Sequence, residues 1–292
     1  MTNEIMNVTK DKSGLEYIEI DNDLAEAKIA LQGGHVVWWR PKSTAHDVLW
    51  LSTNARYEKG RSIRGGVPIC WPWFGQHPTD GSFCNHGFAR VIPWKLEDCV
   101  KLKNGAVKII LKMLPTEAAT KQLTYDYDLE LTIIVGHTLY LNLKTTNLSN
   151  NPFTIGEGYH TYFYISDIEN IKITGLENAV YTDKFDNFNR NIEKNAITFK
   201  GAFDRVYSNT SNDCYIEDEK FNRVITIKKS NSNSTVIWTP GKDNAIEMGD
   251  MGEKDEWRRM VCVETANTLE NSIVVYPQLS HSIATEYSVH DY

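Results

Sequence analysis

Tyr125-Asp-Tyr-Asp-Leu-Glu-Leu-Thr-Ile133 carries aromatic and aliphatic residues at odd positions and Asp126, Asp128, Glu130 and Thr132 at even ones. Side chains along a strand point alternately to opposite faces, so this period of two predicts a strand with one buried and one wet face. Gly136-His137 supplies a turn, and Thr138-Leu-Tyr-Leu-Asn-Leu-Lys-Thr145 repeats the alternation, which predicts an antiparallel hairpin. The same pattern, or a short apolar run bounded by polar residues, recurs at 15–20, 25–31, 35–40, 48–51, 91–96 and 106–113. It continues as short β-prone runs between 171 and 229, and at 236–238, 260–263, 272–276 and 283–289. Short helices are expected only at 116–123 and 250–258. A β-propeller would leave a motif recurring about every 40 to 50 residues, and none is present. The expectation is an all-β antiparallel sandwich with very little helix, forming a single domain over 1–292.

Composition narrows the partners. The chain has 292 residues and a formal charge of −7, which argues against nucleic acid or an anionic membrane surface as a partner. No apolar run approaches the roughly 20 residues of a membrane span, and residues 1–14 lack a signal-type apolar segment, so a cytoplasmic protein is expected; a monomer is the further expectation, which no sequence feature decides. The five cysteines, Cys70, Cys84, Cys99, Cys214 and Cys262, are odd in number and without CxxC spacing, the pattern of free thiols, most of them buried bystanders. No GxxxxGK[ST], strand-linked GxGxxG, HExxH or GxSxG motif is present, and His35, His46, His77 and His86 lack metal-ligand spacing. Neither a cofactor nor a metal is expected.

Three segments hold residue types that folding alone seldom requires. Between Arg64 and Arg90, the prolines Pro68, Pro72 and Pro78 exclude a helix. Val67, Ile69, Trp71 and Trp73 alternate, which predicts an extended segment whose aromatic face could serve as a platform for a sugar ring. The flanking arginines suit a cleft that grips an anion through guanidinium forks. In Gly156-Glu-Gly-Tyr-His-Thr-Tyr-Phe-Tyr164, alternation puts His160 on one face with Tyr162 and Tyr164. Such an imidazole is either a hydrogen-bonded core residue or a proton-transfer group. In Arg259-Met-Val-Cys-Val-Glu264, an apolar strand ends on a carboxylate that shares a face with Cys262 and Met260. Burial of that carboxyl would raise its pKa toward the range of a useful base; a place in water just past the sheet edge is the other reading.

Taken together, Arg64-Gly-Gly-Val-Pro68, Trp71-Pro-Trp-Phe-Gly75, His86-Gly-Phe-Ala-Arg90, His160-Thr-Tyr-Phe163, Asp204-Arg-Val-Tyr207, Val236-Ile-Trp-Thr-Pro240 and Val261-Cys-Val-Glu264 resemble the hexose-6-phosphate mutarotases, a branch of the aldose 1-epimerase superfamily. The resemblance implies a galactose-mutarotase-like β-sandwich and cofactor-free interconversion of the α and β anomers of a hexose 6-phosphate. It implies His160 as general acid and Glu264 as general base; independently, ring opening and closure needs no more than one acid and one base on opposite sides of the acetal carbon. Arg64 and Arg90 would hold the phosphate, Asp204 would take sugar hydroxyls, and His86 would support the reacting end. Asn85 stands where relatives often carry Gln, which shortens one amide contact. Mutarotation of an unphosphorylated aldose and sugar binding without catalysis are the alternatives.

Overall fold

The computed structural model describes residues 5–292. The expected hairpin forms from Tyr127–Val135 and Leu139–Asn147, with Leu131 opposite Leu143 and Ile133 opposite Leu141. Its apolar set, Leu129, Leu131, Ile133, Leu139, Leu141 and Leu143, is buried, so the sequence alternation and the burial alternation coincide.

The hairpin belongs to an eight-stranded antiparallel sheet ordered Ile171–Thr174, Cys214–Asp218, Arg223–Ser230, Ser280–Asp291, Leu139–Asn147, Tyr127–Val135, Val107–Met113 and Trp94–Lys101. A second eight-stranded sheet runs Asn189–Ile192, Val180–Asp183, Phe203–Ser208, Ser234–Thr239, Met260–Asn267, Glu157–Tyr159 and Ile69–Cys70, with Tyr162–Tyr164 also paired to Met260–Asn267. A four-stranded sheet from Asn7–Lys10 to His35–Pro41 and a two-stranded one complete the all-β architecture. The large sheets are joined by polar contacts as well as by the apolar core. Tyr159 donates to the Ile283 carbonyl at 3.0 Å, Thr265 donates to Thr285 at 3.1 Å, and the Thr161 and Tyr287 hydroxyls bond to each other.

Several local expectations are corrected. Residues 48–51 form only isolated bridges, Leu49 with Phe163 and Leu51 with Gly65. Within 67–73 only Ile69–Cys70 is a strand, and Val67, Ile69, Trp71 and Trp73 are buried. Those indoles are core, with Trp71 Nε1 donating to Thr145, so they cannot be the sugar platform. The strand through Cys262 does not end at Glu264. It continues buried to Asn267, which makes Glu264 an interior residue. The helix expected at 116–123 is present as Glu117–Gln122, capped by Thr116, whereas the one expected at 250–258 forms earlier, at Gly241–Met248. Pro240, with φ −67°, precedes it, and Gly249, in the left-handed region, stops it. A 3₁₀ turn at Glu256–Arg259 is what remains of the expected segment.

Gly66 docks the site-bearing loop on the four-stranded sheet, and Gly65 lies against Trp50 and Leu51. Gly66 has φ 63°, and a Cβ there would lie 2.4 Å from the Val36 carbonyl oxygen and 2.9 Å from His35 Nε2. Left-handed backbone and backbone collision both oppose a side chain. Gly66→Ala is therefore expected to lower unfolding free energy by at least ~2 kcal/mol, read from urea denaturation; an unchanged midpoint would contradict this packing.

Candidate functional site

The functional side chains gather on one face of the second sheet because of its register. Tyr159 lies opposite Thr265 and Tyr162 opposite Cys262, so the pairing runs on across the break at His160-Thr161 and sets His160 opposite Glu264. Directly opposed residues of an antiparallel pair project to the same side. Glu264 in turn opposes Val236, Cys262 opposes Trp238, and Trp238 opposes Asp204, so one face carries His160, Glu264, Cys262, Trp238 and Asp204.

That face floors a cavity of about 220 Å³ that brings together every residue singled out in the sequence: Arg64, Asn85, His86, Arg90, His160, Asp204 and Glu264. Phe74, Lys184, Val236, Trp238 and Met248 also line it. His160 Nε2 stands 3.5 Å from Glu264 Oε1, with His160 8 % and Glu264 1 % exposed. The two groups are therefore side by side on the floor. Neither is neutralised by a full set of protein partners: His160 Nδ1 and Glu264 Oε2 are buried without a hydrogen bond.

Burial dominates the electrostatics. It pushes the Glu264 carboxyl well above the usual carboxylate range, and Lys184 and Arg90 only partly oppose it. Burial, reinforced by Arg90 and Arg64, pushes the His160 imidazole well below its ordinary value. The pair consequently favours its uncharged form, neutral imidazole with protonated carboxyl, which still holds one acid and one base.

The walls orient this pair. The Tyr162 ring stacks on the imidazole, with centroids 4.9 Å apart, and its hydroxyl accepts from Arg64 at 2.9 Å. Arg64 also donates to both oxygens of Asp250, at 3.1 and 3.3 Å, so its fork is already occupied. Arg90 forms no ion pair among the described residues and donates only to the Asn85 carbonyl. The two arginines thus differ, where the sequence suggested equivalent forks. His86 meets His160 edge-on at 5.2 Å, and its Nδ1 accepts from Gly75 N–H at 3.3 Å. That bond leaves the ring proton on Nε2, where it can be donated. Asn85 is exposed at the rim. Asp204 is held by Lys184 at 3.0 Å, while burial raises its pKa.

Lys184 and Asp250 had no sequence signal; Lys184 lies in a turn and Asp250 just past the end of the helix Gly241–Met248, and each gains meaning only from its partner. Trp238 lay inside a quoted motif, and its place two residues from Val236 on an alternating strand was the usable clue.

A family profile described as aldose 1-epimerase matches residues 16–288. The chain belongs to the aldose 1-epimerase family. An Escherichia coli (strain K12) family member, provisionally named glucose-6-phosphate 1-epimerase, is 35% identical over 268 residues, covering 91% of this chain and 88% of its own. A Cenchrus ciliaris member with the same provisional name is 32% identical over 280 residues, covering 92% and 83%. A crystal structure from Salmonella typhimurium, provisionally described as a mutarotase, superposes with a TM-score of 0.92 at 30% identity, covering 100% of this chain and 96% of that one. A galactose mutarotase-like protein from Clostridium acetobutylicum shares the fold, with a TM-score of 0.74 at 15% identity.

An epimerase-family floor of this kind should be held at a cost in stability. Glu264 has a folded pKa raised above the ordinary 4.5, so the stability its protonated form contributes is present below that value and is lost as pH rises through the folded pKa. Glu264→Gln carries no such titration. The variant should therefore gain in thermal stability relative to the parent as pH rises above the ordinary carboxyl value of 4.5, and a gap that stays constant or reverses would refute the assigned burial cost.

Proposed function

We propose that this protein interconverts the α and β anomers of a hexose 6-phosphate, glucose 6-phosphate first among them, by general acid–base ring opening and closure. The observation that carries the reading is the buried pair, His160 Nε2 and Glu264 Oε1 at 3.5 Å, beneath walls that bear Arg64, Arg90 and Lys184. The names of the relatives support it.

In ring opening one group takes the proton from the anomeric hydroxyl, and that O–H pair becomes the C1=O bond. The C1–ring-oxygen bond breaks, its electrons stay on the ring oxygen, and a second group protonates that oxygen. Rotation about C1–C2 and the reverse sequence give the other anomer. The two oxygens share one carbon, so two proton-transfer groups standing side by side suit the exchange. The pair needs one proton between its members. Imidazolium with carboxylate makes His160 the acid and Glu264 the base; neutral imidazole with carboxylic acid exchanges those roles. An anion beside Arg90 and Arg64 offsets the positive field that depresses His160, and so favours the first assignment in the complex. Arg90, with no carboxylate partner, is the natural phosphate ligand, with Lys184 and Arg64 adding charge. His86 Nε2–H and Asp204 are placed to bond sugar oxygens, Asn85 to reach them from the rim, and Trp238 and Phe74 to flank the ring. The reading includes action as one domain over 1–292, as a monomer in the cytoplasm. No helix among the described residues is long and apolar enough to cross a membrane.

The decisive comparison is anomer exchange of glucose 6-phosphate against glucose, followed by NMR exchange or polarimetry. The phosphorylated sugar should be turned over with the higher kcat/KM, and Arg90→Ala should raise KM for it while leaving glucose unaffected. Equal kcat/KM on both sugars would favour the unphosphorylated-aldose reading. His160→Ala and Glu264→Gln should each lower kcat by ~10²–10⁴-fold; a wild type that does not speed anomer exchange, with both variants binding the sugar phosphate as it does, would leave sugar binding without catalysis.

The pH profile of kcat/KM should be bell-shaped, since activity is lost when the pair holds two protons or none. Because His160 is depressed, the acid limb should fall below the ordinary imidazole value of 6.5. An acid limb above it would contradict the buried, cation-flanked imidazole.

A further inference from the structure

A third group that anomer exchange leaves idle lies beside the pocket floor, fully buried and just off the cavity's lining. Cys262 precedes Glu264 by two residues on the same strand and therefore shares its face, directly opposite Tyr162. It is fully buried, and ligand atoms of His160, Cys262 and Glu264 lie within 4.8 Å of one another. We propose that this trio is a capture site for a zinc-type divalent cation, which closes the pocket by occupying both proton-transfer groups.

Three observations carry it. Zinc bonds of about 2.0–2.3 Å in a tetrahedron hold neighbouring ligand atoms about 3.4–3.6 Å apart. The His160–Glu264 pair already stands at 3.5 Å, and the thiol lies with them inside a 4.8 Å span that metal binding would have to draw in by about 1 Å. Second, His160 Nδ1 and Glu264 Oε2 are buried without partners, so the ring and the carboxyl are not locked into a competing hydrogen-bond network. Third, the ligand set is imidazole, thiolate and one carboxylate, which suits zinc or cobalt and excludes Mg²⁺ and Ca²⁺, whose sites are built from oxygen. A fourth position would open toward the cavity for water or a sugar oxygen.

The wall carries Arg64, Arg90 and Lys184 against Asp204, a field that repels a free cation. Charge balance meets this objection. The Cys262 thiolate and the Glu264 carboxylate supply two negative charges that answer the metal's two positive ones, and any proton those groups carried leaves to solvent.

The blocking half of the proposal rests on the anomerase reading; metal capture does not. Metal-free protein titrated with Co²⁺ should develop a thiolate-to-cobalt charge-transfer band together with the intense visible bands of a four-coordinate site. Zn²⁺ affinity, measured by competition with a chromophoric chelator, should fall in Cys262→Ser and Cys262→Ala by more than the ~10–100-fold that losing an outer-shell partner costs. Stoichiometric Zn²⁺ should abolish anomer exchange of glucose 6-phosphate, Mg²⁺ should not, and chelation should restore the rate. Absence of the thiolate band in the parent, a reading that needs no variant to fold, overturns the site. So does undiminished Zn²⁺ affinity in either folded variant. Zinc that binds without slowing exchange overturns the block. A metal-free protein with no anomer exchange overturns the anomerase reading, while the cobalt spectrum still decides the metal site.

Discussion

Pairing of residues 157–164 against Met260–Asn267 is the constraint on which the rest depends. In a ladder with a side-chain period of two, a slip of one residue would turn His160 and Glu264 away from the cavity and into the space between the sheets. The opposite face prevents that slip. Tyr159, Thr161 and Thr265 are bonded to the strand Ser280–Asp291 of the other large sheet, and Phe163 packs edge-on against Tyr287. At the end of the pair, Asn267 donates to Glu157 at 2.9 Å. Gly158 lies so close to the neighbouring strand that a Cβ would sit 2.9 Å from the Thr265 carbonyl oxygen. The odd-numbered contacts of Met260–Asn267 fix the core, and the even-numbered residues are presented to the pocket as a consequence.

Such rigidity matters because the chemistry asks two polar groups to stay dry and close together. A carboxyl in water would have an ordinary acid strength and an imidazole an ordinary basicity. Burial moves them toward each other and leaves one proton with two nearly isolated hosts. The break at His160-Thr161 is part of the same device. Thr161 N–H bonds back to the Tyr159 carbonyl, while His160 N–H reaches the Pro68 carbonyl, tying the imidazole's backbone to the loop that also carries Arg64.

Much of this was legible in the linear chain because strand alternation is a local property. The hairpin at 125–145 and the shared face of His160 and Tyr162 follow from counting by two. The extent of the strand through Glu264 did not, since Thr265, Ala266 and Asn267 read as ordinary polar or small residues until they are seen buried between neighbours. Trp71 and Trp73 were misread for a related reason. An aromatic stripe has the same pattern whether it meets a ligand or a core, and only the second sheet behind it decides. The helix moved to Gly241–Met248 because Pro240 and Gly249 are start and stop signals that outweigh weak periodicity. Lys184 and Asp250 were invisible because their roles are defined by partners 20 and 186 residues away.

The division of labour among the cations follows from those long-range partners. Asp250 and Tyr162 hold Arg64, so its charge reaches the cavity already partly answered, and its firmest mechanical effect is on the ring stacked against His160. Lys184 is similarly answered by Asp204. Arg90 alone of the three has only a carbonyl for a partner. A phosphate dianion entering the pocket would therefore meet one unspent guanidinium and two ion pairs able to share charge with it, whereas a neutral sugar would leave Arg90 desolvated without an anion. On the proposed reading, selectivity for a phosphorylated hexose resides less in the number of positive residues than in which of them the fold has left without a carboxylate.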